Sequence, residues 1–228
     1  MPQLRFIAWM SAIVLLGASQ VFAQSVPPRD GMTLRPNAGQ EIGWIYQAWL
    51  SPLQQGGEEA DTPPLVPREF RSTAPSVARS ARQSRGHGTL AITRDQGRAY
   101  AHVKIEGIEP QDIVLFHIHC GRPGQLGPIL VDFGLTQNGP RNLPASFVDG
   151  EFSVEITNED LVAVTDHSHG LLGFFTAGCP IIPAVPMDRV RTIAGLALIA
   201  KQGELYFNLH TRGQMFFGDI RGQLTPVR

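Results

Sequence analysis

His117 and His119 stand one residue apart in Leu115–Phe133, LFHIHCGRPGQLGPILVDF, immediately ahead of Cys120 and a glycine-proline loop. On an extended strand, residues two apart share a face, with Cβ atoms roughly 6.5–7 Å apart. From that spacing two imidazoles can converge on one ion through metal–nitrogen bonds of about 2.0–2.1 Å. A third histidine from a neighbouring strand would complete a facial set suited to copper or zinc. The plainer alternative is a pair of half-exposed polar residues.

The third imidazole has a candidate in Leu205–Thr211, LYFNLHT. There Leu205, Phe207 and Leu209 share one face, and Tyr206, Asn208 and His210 share the other. In Val114–Cys120 the apolar set is Val114, Phe116 and Ile118, and Leu115, His117 and His119 oppose it. If each apolar set fills the core, His117, His119 and His210 all project outward. Asn208, Tyr206 or a backbone carbonyl would then fix the tautomers. Further candidate ligands are His102, on the outward face of its own strand, and His167 and His169, in a loop-like stretch. Arg221 alternates outward with Asp219 and Gln223, where it would steer an anion toward the site or enter a structural ion pair.

Two cysteines, Cys120 and Cys179, leave two readings: a disulfide, or a thiolate ligand beside His119. By alternation Cys120 falls on the core side, away from the histidine face, which favours a bridge to Cys179. Other chemistries lack an anchor. No G-x-S-x-G elbow and no Walker-type or dinucleotide-binding glycine pattern occurs, and the glycines of GRPGQLGP suit tight turns.

The elements that must position these groups read as short strands. Gly43–Leu50 has the aromatic and β-branched content of a first strand. Thr89–Thr93 and Arg98–Glu106 flank a hairpin turn at Arg94–Gly97. Further strands are expected at Ile113–Cys120, Ile129–Phe133, Phe152–Ile156, Leu205–Thr211 and Asp219–Thr225. A brief helix starts near Asn158, read as its N-cap, and another spans Met187–Lys201, with Val190, Ile193, Ala194, Ala197 and Leu198 at helical spacing. Ser51–Arg85, rich in Pro, Ser, Gly and Arg, reads as a solvated, mobile loop, and Asp166–Pro186 as a second insertion. The pattern predicts an all-β, antiparallel sandwich or barrel with one or two short helices. The 24 glycines and 18 prolines among 228 residues agree with many turns.

Arg5, the apolar run Phe6–Ala18 and the Val21-Phe22-Ala23 pattern predict a signal peptide over residues 1–23, cleaved after Ala23, followed by a flexible lead-in over 24–42. The mature protein is therefore expected to be secreted or periplasmic, with no membrane insertion. A formal net charge of −1 gives no reason to expect nucleic acid. A protein or glycan partner has no specific support beyond the arginines late in Ser51–Arg85.

The stretch FHIHCGRPGQLGPILVDF resembles the H-I-H-x-G…G-P-V-V-V segment of the CHRD domain, named from chordin. ELYFNLHTRGQMFFGDIRGQL, Glu204–Leu224, resembles that family's closing Y-x-N-x-H-T and G-E-I-R-G-Q segments, with Asp219 where Glu is usual. AWLSPLQ is similar to its first strand. The resemblance covers most of Gly43–Leu224, in a domain read as 43–226 with insertions at about 51–85 and 166–186. It implies a β-sandwich outside the cell or in the periplasm, with His117, His119 and His210 at the family's three histidine positions. The H-x-H strand is also similar to the copper strand of copper/zinc superoxide dismutases, β-barrels of related layout. No bridging histidine or zinc-ligand series follows His119, and no histidine precedes Asp132 or Asp149 at a suitable spacing. Three functions follow: an exported protein binding copper or zinc through surface-facing histidines, a metal-free extracellular binding or matrix module, or a dismutase-like redox enzyme.

Overall fold

The computed structural model describes residues 38–137, 139, 142–167 and 190–227. The strands are β1 Ile42–Leu50, β2 Arg85–Thr93, β3 Ala99–Glu106, β4 Ile113–Cys120, β5 Ile129–Asp132, β6 Glu151–Ile156, β7 Leu205–Thr211, β8 Ile220–Gln223 and β9 Thr225–Pro226. The helices are α1, Asn158–His167, and α2, Ile193–Lys201. All the pairings are antiparallel. They build two sheets, ordered β6-β3-β2-β1-β9 and β5-β4-β7-β8. The expected antiparallel sandwich is the fold.

The first sheet has one wet face. Along β3, Ala99, Ala101, Val103 and Ile105 are buried while Tyr100, His102, Lys104 and Glu106 are exposed. That is the alternation of a strand with one side against a core. The turn into β3 holds Gln96 at φ 55°. Asp95 supports it by accepting from the Thr93 hydroxyl and the Gly97 backbone N–H.

The second sheet is dry on both faces. Inward, Phe116 packs among Phe133, Phe147, Phe152 and Phe207 at centroid separations of 4.6 to 6.0 Å. Outward, the sheet lies under the segment between β1 and β2. That segment, expected as a solvated loop over Ser51–Arg85, is instead a packed strap of short 3-10 turns at Pro52–Gln54, Glu59–Asp61, Arg68–Phe70 and Arg79–Ala81, and Arg85 already belongs to β2. Several of its polar residues find partners beneath rather than in water. The buried Glu59 carboxylate accepts from the backbone N–H groups of Phe216 and Phe217 and from the Ser72 hydroxyl. Arg82 donates to the carbonyls of Gly218 and Asp219. A composition rule sees polarity but not where it is spent.

Three smaller expectations also change. The cap of α1 is built by Thr157 and Asp160: the Thr157 N–H and hydroxyl both donate to Asp160 Oδ2, at 2.8 and 3.1 Å. This is the reach-back of a capping box. Asn158 instead accepts from the Ile193 N–H, tying the starts of the two helices together. In α2 the buried stripe is Ile193, Leu196, Ala197, Ile199 and Ala200, with Ala194 and Leu198 exposed. Thr192 caps it, so the helix begins at Ile193 rather than Met187. The last strand divides at Leu224: β8 stays in the second sheet, and β9 pairs with β1 in the first.

The signal peptide, most of the lead-in, His169, Cys179 and most of the Asp166–Pro186 insertion lie outside the described residues. Among the described residues no helix is long and apolar enough to cross a membrane.

Candidate metal centre

β4 lies directly beside β7, with His119 opposite Tyr206, His117 opposite Asn208 and Leu115 opposite His210. His210 is therefore the diagonal neighbour of His117, a spacing that long side chains bridge. The ring centroids of His117 stand 5.2 Å from those of both His119 and His210, and His119 and His210 are 6.2 Å apart. One nitrogen from each ring lies within 4.8 Å of the others. Around an ion with bonds of about 2.0–2.1 Å, tetrahedral ligands sit roughly 3.3 Å apart, so modest torsional adjustment closes the set.

The three rings share the face predicted for them but not the expected exposure. His117, His119 and His210 are only 2, 4 and 4 % exposed. The reason is the cover: Phe70 from the strap, Leu126 from the glycine-proline loop, and Met215 and Phe216 from the turn after β7 surround them. Pattern reasoning assigns a strand two faces, core or solvent, and has no third category for a face roofed by a loop.

Backbone carbonyls set two tautomers. His119 Nδ1–H donates to the Gly127 carbonyl at 2.9 Å, and His210 Nδ1–H to the Met215 carbonyl at 2.8 Å. A carbonyl only accepts, so each Nε2 carries a lone pair. His119 Nε2 and both ring nitrogens of His117 are buried without a hydrogen-bond partner. The nearest acid to His117 is Asp132, whose Oδ2 lies 3.6 Å from Nε2. Asn208 Nδ2 donates to the Phe217 carbonyl at 3.0 Å and lies 3.2 Å from His210 Nε2, while its Oδ1 accepts from Gln55 at 2.7 Å. The amide can thus release His210 and still keep two bonds.

The electrostatics favour neutral rings. Burial, then the neighbouring His117, pushes His210 down to about 3. Burial, reinforced by His117 and His210, holds His119 well below the usual imidazole range. For Asp132, burial pushes upward, but the attraction of nearby His117 and the hydrogen bond from the Gly134 N–H together bring the carboxyl below its ordinary value. Neutral imidazoles at His119 and His210 are the form that a divalent cation requires of its ligands.

A stack of three side chains braces one edge. The His119 ring lies on Tyr206, and Arg221 sits over the Tyr206 ring with its guanidinium carbon 3.4 Å from the centroid. Alternation places Arg221 outward, to steer an anion or enter a structural ion pair; it is instead 2 % exposed and donates to the carbonyls of Gln125 and Arg122 and to Gln223. It pins the glycine-proline loop. The Tyr206 hydroxyl accepts from the Gly127 N–H at 3.0 Å, so one glycine contacts both Tyr206 and His119. A Cβ on Gly127 would come 1.6 Å from the Cys120 carbonyl oxygen, which leaves room for glycine alone.

Of the other candidates, His102 lies on the exposed face of the first sheet, 2.7 Å from the Ser153 hydroxyl, and is not part of the cluster. His167 ends α1, and His169 is outside the described residues. Cys120 is buried on the core face as expected, while its expected partner Cys179 lies outside the described residues. Sequence reasoning set Asp132 aside on spacing and missed Gln55 and Glu59. Asp132 faces His117 across the β4–β5 pair. Only strand register, not spacing along the chain, could have found it.

A family model, the CHRD domain, matches residues 70–224. No curated protein and no solved structure matches the chain significantly.

Proposed function

The chain belongs to the CHRD family, and from that premise we propose that this member acts outside the cytoplasm and holds one copper or zinc ion through His117, His119 and His210. The observation that carries the reading is the set of three buried imidazole nitrogens, on His117 and His119, that no protein group satisfies. Buried polar atoms are normally paired, and leaving them unpaired costs on the order of 1–3 kcal/mol each. An ion placed among them would take one nitrogen from each ring and turn that cost into coordination at two of the three. The carbonyls of Gly127 and Met215 would fix two of the rings, and Asp132 would offset part of the ion's charge.

A dismutase-like activity draws less support. Arg221, the group the sequence offered for anion steering, is committed to loop carbonyls. Cys120 and Cys179 are read as a disulfide fastening the 166–186 insertion to the edge of β4, a reading that two alkylatable thiols in non-reduced protein would refute.

The direct test is elemental analysis of exported protein, comparing wild type with His117→Ala, His119→Ala and His210→Ala. Near-stoichiometric copper or zinc in wild type alone supports the site. Equal metal in all four ends it, and favours a metal-free binding module.

A further inference from the structure

The space in front of the three histidines is not a polar channel. Its walls are Phe70, Leu115, Leu126, Ile129, Met215 and Phe216, and its volume is about 70 Å3. Polarity enters at the floor, where His117, His119 and His210 meet the cavity, the first two bearing nitrogens without partners. A site that only stored an ion would need no such walls: three ligands and water suffice. Nor is this a leftover of core packing, because Leu126 at the rim is 39 % exposed and the cavity opens outward.

We infer that the cavity binds a small molecule with an apolar body and one monoanionic oxygen head, seated with the head at the ion held by the three histidines. The inference rests on the metal-binding reading above and adds what completes the site. Three protein ligands leave a divalent ion with at least one open position. Charge selects the head. A divalent ion held by three imidazoles keeps charge that its ligands do not cancel, which a carboxylate or phenolate oxygen at the open position would offset. The walls select the body. Burying apolar area against Phe70, Phe216 and Leu126 rewards a hydrocarbon or aromatic group and penalises a hydrated one. Small inorganic anions would reach the ion but leave the walls wet.

The test uses protein loaded with Co(II), whose visible spectrum reports its ligands, titrated with acetate and with 3-phenylpropanoate. The two share a carboxylate head of similar basicity and differ in the apolar body. At least tenfold tighter binding of 3-phenylpropanoate is expected, with both probes perturbing the same cobalt bands. Leu126→Ala, at the exposed rim, should take back a several-fold part of that advantage while leaving acetate unchanged. Phe216→Ala should remove more of it, provided cobalt uptake is retained. Equal affinity for the two probes in cobalt-loaded wild type overturns the inference, and so does an advantage that survives both substitutions. Failure to take up Co(II) at all is a different result: it refutes the metal reading and with it the ground for this one.

Discussion

The imidazole of His119 lies parallel to the ring of Tyr206, with 5.0 Å between centroids and 7° between planes. The pair joins a candidate ligand to a buried aromatic whose other partner is Arg221. The orientation of His119 is therefore fixed twice, by a stacked face and by the Gly127 carbonyl. Tyr206→Phe should keep the stack and lose the oxygen that accepts from Gly127, lowering metal affinity only a few-fold. Tyr206→Leu should lose both and weaken affinity by roughly tenfold or more, with about 2–4 kcal/mol less stability. Chelator competition and urea unfolding on both variants distinguish the two, and identical affinities would remove the stack from the account.

Asp132 touches the site only through His117, so its role is positioning and charge. Asp132→Asn preserves shape and should cost about 10- to 100-fold in metal affinity while the fold remains intact. A matched loss for His102→Ala, on the far sheet, would show the effect to be nonspecific.

Acid should destabilise the metal-free protein. In the unfolded chain a histidine takes its proton near 6.5, whereas folded His210 holds out to about 3 and folded His119 also lies well below. Between those limits the unfolded state binds more protons, so stability rises with pH. It is full above about pH 6.5 and declines as the pH falls toward 3, by a few kcal/mol in all. Urea midpoints at pH 7.5, 5.5 and 4.5 check this. His210→Asn should flatten the slope, and a flat wild-type profile would contradict the buried neutral rings.

Glu59 anchors the strap to the turn that carries the Met215 carbonyl. Glu59→Ala leaves the N–H groups of Phe216 and Phe217 without an acceptor and should cost about 2–3 kcal/mol. Because Met215 orients His210, metal affinity should fall with it. Hydrogen exchange should show the loosening at 215–217 and not in β3.

Much of the site was legible in the sequence. Alternation along β4 and β7 put His117, His119 and His210 on one side and Phe116, Ile118, Phe207 and Leu209 on the other, and the register confirms both sets. The strands followed from the same period of two. What pattern could not reach was everything decided by neighbours distant in the chain: the roof over the histidines, the Asp132 that faces His117 across a strand pair, and the burial of Arg221. Ser51–Arg85 misled for a physical reason. Glu59 and Arg82 are charged, which predicts hydration, yet their partners are Phe216, Gly218 and Asp219 on another part of the protein, while Arg79 folds back onto Gln55 and Glu58 within the segment.

The place of β7 between β4 and β8 has a consequence in time. As the polypeptide leaves the ribosome, the H-x-H pair emerges long before residue 210, so the shorter nascent chain lacks the third member of the cluster. At the proposed site, capture of an ion would wait until the late strand docks. The element taken up would then be one abundant where docking happens rather than at the site of synthesis.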